Sequence, residues 1–383
     1  MIDTAPPSPA SGRLDRLLGF LGADPSNLHL LADAAGAALD AGRPDTAAQV
    51  LDRHGEAAEL PPHLLNLRAL AALQQGEAAE AVELFEALRR SGGDDPAVRF
   101  NLASAHALLG DHPAALELLD SEVVEAVPPA ALLRIHTLHR LERAEQALEE
   151  GEGLAAARPD DQALMGALAS VAIDDERPEL ARRYALAGGS DPEAVAALGL
   201  LELNDHHPHE SIPLFDSVLA RDPNNARASI GKGMALLATG DTHASLEHID
   251  RGAEAFVDHP GSWIASGWAY YLAGDLAVSR ARFERALACD DNFAESHGGL
   301  AVLDIAAGDH EEARRRLKVA LRLDRNCFSA ALASAMLLRA EGKDSDADKV
   351  IGRAMHTPFA EDGYTVAQAL AASGAYAGKR ARN

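Results

Sequence analysis

A pattern that restarts every 34 residues constrains this chain more than any other feature. The restarts at Pro192, Ala226, Pro260, Ala294 and Phe328 each lie 34 residues after the last. The stretch from Pro260 to Phe293 shows what one period contains. An apolar helix carries Trp263, Gly267 and Tyr270, a turn follows at Gly274-Asp275, and a second helix carries Ser279, Phe283 and Ala286. A hairpin of this length cannot bury its apolar face alone, so the pattern demands stacked neighbours.

Earlier units keep the pattern less strictly. Unit 28–61 has Ala35, Gly42, Ala47 and Leu51 at the marker positions, and unit 62–95 has Ala69, Gly76, Ala81 and Phe85. Unit 96–127, two residues short, has Ala103, Gly110, Ala115 and Leu119. Unit 128–161 places Glu142 where a turn glycine is expected and Gly151 at the large packing position. Unit 162–191 is four residues short and ends in Gly188-Gly189-Ser190, which reads either as a hinge or as an irregular loop without motion. Small residues on the first helix (Gly199, Gly267, Ala301) and on the second (Ala81, Ala181, Ala313) allow close approach of antiparallel helices. Glycines just past the first helix suit a left-handed terminating residue.

The expected organisation is a Pro/Ser/Ala-rich disordered segment at 1–11, an N-terminal capping helix at 12–27, five units at 28–191 and five more at 192–361. A C-terminal capping helix at 362–376 and a basic tail at 377–383 complete it. Helix formers dominate and aromatics make up only 4% of residues, which favours an all-α chain. A formal net charge of −24 opposes nucleic acid and anionic membrane surfaces and favours basic partners. The two cysteines, Cys289 and Cys327, make no disulfide framework, and the start has no signal-peptide pattern. These features predict a cytoplasmic protein without membrane insertion.

The chain resembles the tetratricopeptide repeat (TPR) proteins over roughly residues 28 to 376. The resemblance implies an α-solenoid, a right-handed superhelix of about ten helix-turn-helix units with capping helices at both ends. It further implies that inner-face positions of the first helices hold a segment of another protein. Here those positions include Leu70, Leu73, Phe100, Leu132, His136, His139, Leu200, Leu203, Met234, Leu237, Trp268, Tyr271, Val302, Ile305 and Met336. The set is apolar and does not match the Lys/Asn arrangement of the family's carboxylate-clamp members. It predicts a groove for an apolar or amphipathic segment, with Trp268, Tyr271, Met234 and Met336 as anchors, set against the plainer reading that these side chains only pack neighbouring helices.

Two other clusters stand out. His206, His207 and His209 sit among acids in an inter-helix turn, a setting that favours adventitious metal binding over a true centre. A basic run, Arg314-Arg315-Arg316-Leu317-Lys318 with Arg322 and Arg325, has Glu311 and Glu312 at helical spacing and reads as a solvated face, with an acidic docking partner as the alternative. Phosphate-loop, zinc-helix and nucleophile-elbow patterns do not occur, so the reading is a non-enzymatic scaffold, adaptor or chaperone-like protein with no cofactor and no metal. The alternatives are an accessory subunit docking through its outer surface, with self-association into a homo-oligomer, and a metal-dependent enzyme built on the histidine cluster.

Overall fold

A computed structural model describes residues 9–55 and 60–356. Residues 1–8, the expected closing helix at 362–376 and the basic tail at 377–383 lie outside the described residues. Among the described residues the secondary structure is α-helical with no strand, and no helix is long and apolar enough to cross a membrane. Among the described residues the fold is all-α, built of solenoid-type helical hairpins, and it divides into two compact units, Met1–Arg158 and Pro159–Asn383.

In the first unit, α1 (Pro9–Ala23) packs on α2 (Leu28–Asp40), which pairs with α3 (Pro44–Gly55). Leu14 and Leu21 of α1 join the core around Leu31 and Leu51, so the exposed end of the first hairpin is covered. The next pair is α4 (Pro62–Gln75) and α5 (Ala78–Arg90). Then α6 (Pro96–Leu108) is followed by two short helices, α7 (His112–Leu118) and α8 (Ser121–Ala126), and α9 (Ala130–Arg140) pairs with α10 (Ala144–Ala157).

The broken second helix of unit 96–127 departs from the expected single helix. Leu119, fully buried, closes α7, and the Asp120 carboxylate accepts the Val123 N–H at 3.0 Å to start α8. Arg99 on α6 donates to Asp120 at 2.7 Å and also pairs with Glu122, fixing the break in place.

Among the described residues the second unit holds six hairpins. They are α11 (Gln162–Asp174) with α12 (Pro178–Gly188), α13 (Pro192–Asn204) with α14 (Pro208–Leu219), and α15 (Ala226–Ala238) with α16 (Thr242–Phe256). Then follow α17 (Pro260–Ala273) with α18 (Leu276–Cys289), α19 (Ala294–Ala306) with α20 (His310–Leu323), and α21 (Phe328–Ala340) with α22 (Asp344–His356). The Gly188-Gly189-Ser190 segment lies inside this unit. A Cβ on Gly188 would sit 2.5 Å from the Ala194 Cβ, and Arg221 donates to the Ser190 carbonyl at 2.7 Å.

Small residues do the work their spacing suggests. Phe283 of α18 is fully buried between two first helices, and a Cβ on Gly267 or on Gly299 would come within 2.6 Å of its ring. Phe215 is gripped the same way between Gly199 and Gly231. The turns follow an equally plain rule. Gly274 takes φ +84°, ends α17, and hands over to Asp275, whose carboxylate accepts the Val278 N–H at 3.1 Å to start α18. Where the sequence lacks this Gly-Asp pair, the backbone adopts the same turn regardless: Glu142, Glu176 and His206 have φ of +57°, +54° and +65°. The helices that follow them, α10, α12 and α14, have no side-chain cap.

Candidate functional site

In the second unit most of the expected anchors are taken up by packing. Trp268 meets Tyr271 edge-on at 5.4 Å between ring centroids and Phe283 at 5.3 Å, so its indole lies against the core. Ile305 and Met336 pack with Ala301, Val302 and Ala333. Val302 itself is 0% exposed, which corrects its place in the expected groove: it sits where α19 meets α21 and has no surface to offer. Leu200 backs onto the Phe215 cluster, Leu203 and Leu237 are half-buried, and Met234 is 40% exposed.

The first unit is different. Leu70 packs between two cores, Phe100 packs beside Leu119 and Val123, and Leu132 and His139 are half-buried. Leu73 and His136 are brought together at a cavity of about 360 Å³. Leu73 comes from the end of α4, Ser104, Ala107 and Leu108 from α6, His112 from the start of α7, and Leu133, His136, Thr137 and Arg140 from α9. Three successive first helices therefore contribute to one concavity. Leu108 is 64% exposed at its edge.

The polar groups of this cavity are unevenly satisfied. Ser104 donates to the Phe100 carbonyl at 2.9 Å and Thr137 to the Leu133 carbonyl at 2.7 Å, so both hydroxyl protons are used within their own helices. Nδ1 of His112 is buried and has no hydrogen-bond partner among the described residues. Arg134, on the other side of α9, is fully engaged: it donates to Glu150 at 2.6 and 2.9 Å and to the Leu119 carbonyl at 2.7 Å. The Arg134 guanidinium holds the Glu150 carboxyl below its usual range. This pairing ties α9 to α10 and to the end of α7, and so sets the cavity wall.

The inner-face pattern of large side chains includes Leu73 and His136 of this cavity and leaves out Ser104 and Ala107, which are small. The signal was a contrast: two small residues on α6 at the positions that α17 fills with Trp268 and Tyr271.

The other clusters resolve into structural roles. His207 Nδ1 lies 3.2 Å from Glu202, and no group of three or more His, Cys, Asp or Glu side chains among the described residues is arranged to hold a metal ion. In the basic run, Arg314 pairs with Glu311 at 2.9 Å and Glu341 at 3.0 Å, and Arg315 with Glu312 at 3.3 Å. Arg316 reaches Asp304 at 2.9 Å, which Arg280 also meets at 2.7 Å. Cys327 is buried, and desolvation with the nearby Glu295 charge pushes its thiol well above the usual range, away from nucleophile chemistry.

A family model described as tetratricopeptide repeat matches residues 66–131, 196–260 and 232–297, and a second of the same description matches 294–318. The TPR repeat-containing protein PA0015 of Pseudomonas aeruginosa is 33% identical over 84 residues, covering 22% of this chain and 76% of that protein. Among solved structures, MamA 41-end from Desulfovibrio magneticus RS-1 aligns at 23% identity with a TM-score of 0.37, covering 43% of this chain and 96% of that one. Another structure titled MamA aligns at 17% identity with a TM-score of 0.34, covering 41% of this chain and 91% of that one.

Proposed function

The chain belongs to the tetratricopeptide-repeat family, and on that premise we propose that it is a non-enzymatic scaffold that binds an apolar or amphipathic segment of a partner protein at the cavity of its first unit. One observation carries this reading: Leu73, Ala107, Leu108 and Leu133, from three consecutive first helices, surround about 360 Å³ of open space. A preformed apolar concavity lowers the ordering cost of a bound chain, because the receptor side is already fixed. An amphipathic helix presents apolar side chains at one-turn spacing and suits such a site. The aromatic cluster of the second unit serves folding first, and Met234 is its most exposed expected anchor.

The test is selection of a displayed peptide library on the full-length chain, followed by Ala107→Phe, which fills the cavity from a half-buried position. The reading expects enrichment of peptides with apolar residues at helical spacing, and their loss on the variant with its helical circular dichroism unchanged. Binding that survives the variant moves the function to another surface. Light scattering run beside it separates partner capture from self-association.

A further inference from the structure

In a chain of net charge −24, α20 is a basic helix. It carries Arg314, Arg315, Arg316, Lys318 and Arg322 against two carboxylates, Glu311 and Glu312. Among the other second helices of this unit, α14, α16 and α22 each carry more acid than base. We propose that the outer face of α20 is a docking surface for an acidic, amphipathic helix of a partner protein, a second surface carried by the second unit.

Part of this positive charge holds hairpins together. Arg314 reaches Glu341 at 3.0 Å, and Arg316 shares the buried Asp304 with Arg280 of α18. One turn further the helix changes character. Lys318 and Arg322, with Arg325 in the turn that follows, are exposed and have no carboxylate partner among the described residues. The Arg315 side chain, 74% exposed, has only Glu312 at 3.3 Å. Arg315, Lys318 and Arg322 fall at i, i+3 and i+7, so they form one stripe on the side opposite the buried Ala313 and Ala320. The helix dipole accounts for a cation in the last turn, Arg322, and not for two more before it.

The same stretch exposes apolar surface. Val319, Leu321 and Leu323 are 40%, 37% and 40% exposed, three large apolar side chains within five residues. Val319 and Leu323 lie one turn apart and border the cationic stripe. A helix with carboxylates at three- and four-residue spacing meets that stripe, and its apolar residues cover Val319 and Leu323. From Arg315 to Leu323 the face runs about 12 Å, enough for two turns of a partner helix. An extended polyanion or an anionic bilayer would also meet the negative charge of the rest of the chain. A short helix answers to the local field, since charges beyond about 8 Å are screened at physiological salt.

The experiment titrates the full-length protein into two synthetic helical peptides of about 14 residues and reads fluorescence anisotropy from an uncharged dye. One peptide has Glu and Leu at three- and four-residue spacing, and the other has Gln in place of every Glu. The Glu peptide should bind roughly tenfold more tightly at about 0.05 M salt, and the preference should shrink at about 0.3 M. Lys318→Gln with Arg322→Gln should remove the preference, with helical circular dichroism unchanged. The same charge change at exposed residues of α1, Arg13→Gln with Arg16→Gln, should leave it intact, and so should Ala107→Phe, which fills the cavity of the first unit. Val319→Ser should weaken both peptides alike.

Equal binding of the two peptides, or a preference that survives Lys318→Gln with Arg322→Gln, overturns the assignment. A preference lost in Ala107→Phe overturns it too, and places the acidic helix in the first unit. A single-stranded oligonucleotide that outcompetes the Glu peptide at the same salt overturns it in favour of nucleic acid. A chain that dimerises alone and becomes monomeric in Lys318→Gln with Arg322→Gln overturns it in favour of a second copy.

Discussion

Two first helices use the same two positions for opposite purposes. In α17 they are Trp268 and Tyr271, which meet each other and Phe283 edge to face and fill the space beside their hairpin. In α6 they are Ser104 and Ala107, and the space they leave is a cavity between α4 and α9. The second helices differ as well: α18 is continuous, whereas the segment after α6 is split into α7 and α8. Side-chain volume at the two positions acts together with that break to close the inner face or open it.

That contrast can be stressed at its strongest point first. Phe283 is the fully buried ring on which Trp268 rests, so Phe283→Ala should cost roughly 3–5 kcal/mol in chemical denaturation of the second unit. Gly299→Ala attacks the same contact from the other side. Its Cβ would fall 2.6 Å from the Phe283 ring, and overpacking there should cost roughly 1–3 kcal/mol by the same measurement. Neither change should alter the affinity of a segment bound in the first unit.

The first unit offers smaller effects. Glu142, just beyond Arg140, ends α9 with φ +57°, where seven other turns after first helices have glycine. Glu142→Gly should stabilise the protein by about 1 kcal/mol, seen as a raised denaturation midpoint, because a non-glycine residue is strained there. The Glu150 pairing with Arg134 should contribute less than about 1 kcal/mol, since both side chains keep solvent contact.

Its sign with pH is fixed. A carboxyl held below its unfolded value stabilises above the ordinary carboxylate range, and the gain is lost as pH falls through the lowered folded value. Glu150→Gln should therefore be less stable than the parent at neutral pH, and the gap should close below about pH 4 in denaturation series.

The hairpins and their turns were legible because repetition multiplies a weak local signal. Gly42, Gly76 and Gly110 gave the left-handed turns directly, with φ of +66°, +81° and +78°. The break at Leu119-Asp120 was hidden, because a two-residue deficit does not say whether a helix shortens or splits. Inner-face exposure was harder still. Helical phase puts Val302 and Leu73 on comparable faces, yet Val302 is sealed where α19 meets α21 and Leu73 borders open space. That difference depends on what the adjoining hairpins contribute, which periodicity within one hairpin does not encode.

Small side chains on α6 should create the binding surface, and large ones on α17 should not. Isothermal calorimetry of one selected amphipathic peptide against the full-length parent, Ala107→Phe and Trp268→Ala tests it most directly. Affinity should fall roughly tenfold or more in Ala107→Phe and stay parental in Trp268→Ala. Parental affinity in Ala107→Phe, with binding abolished in Trp268→Ala, would contradict it.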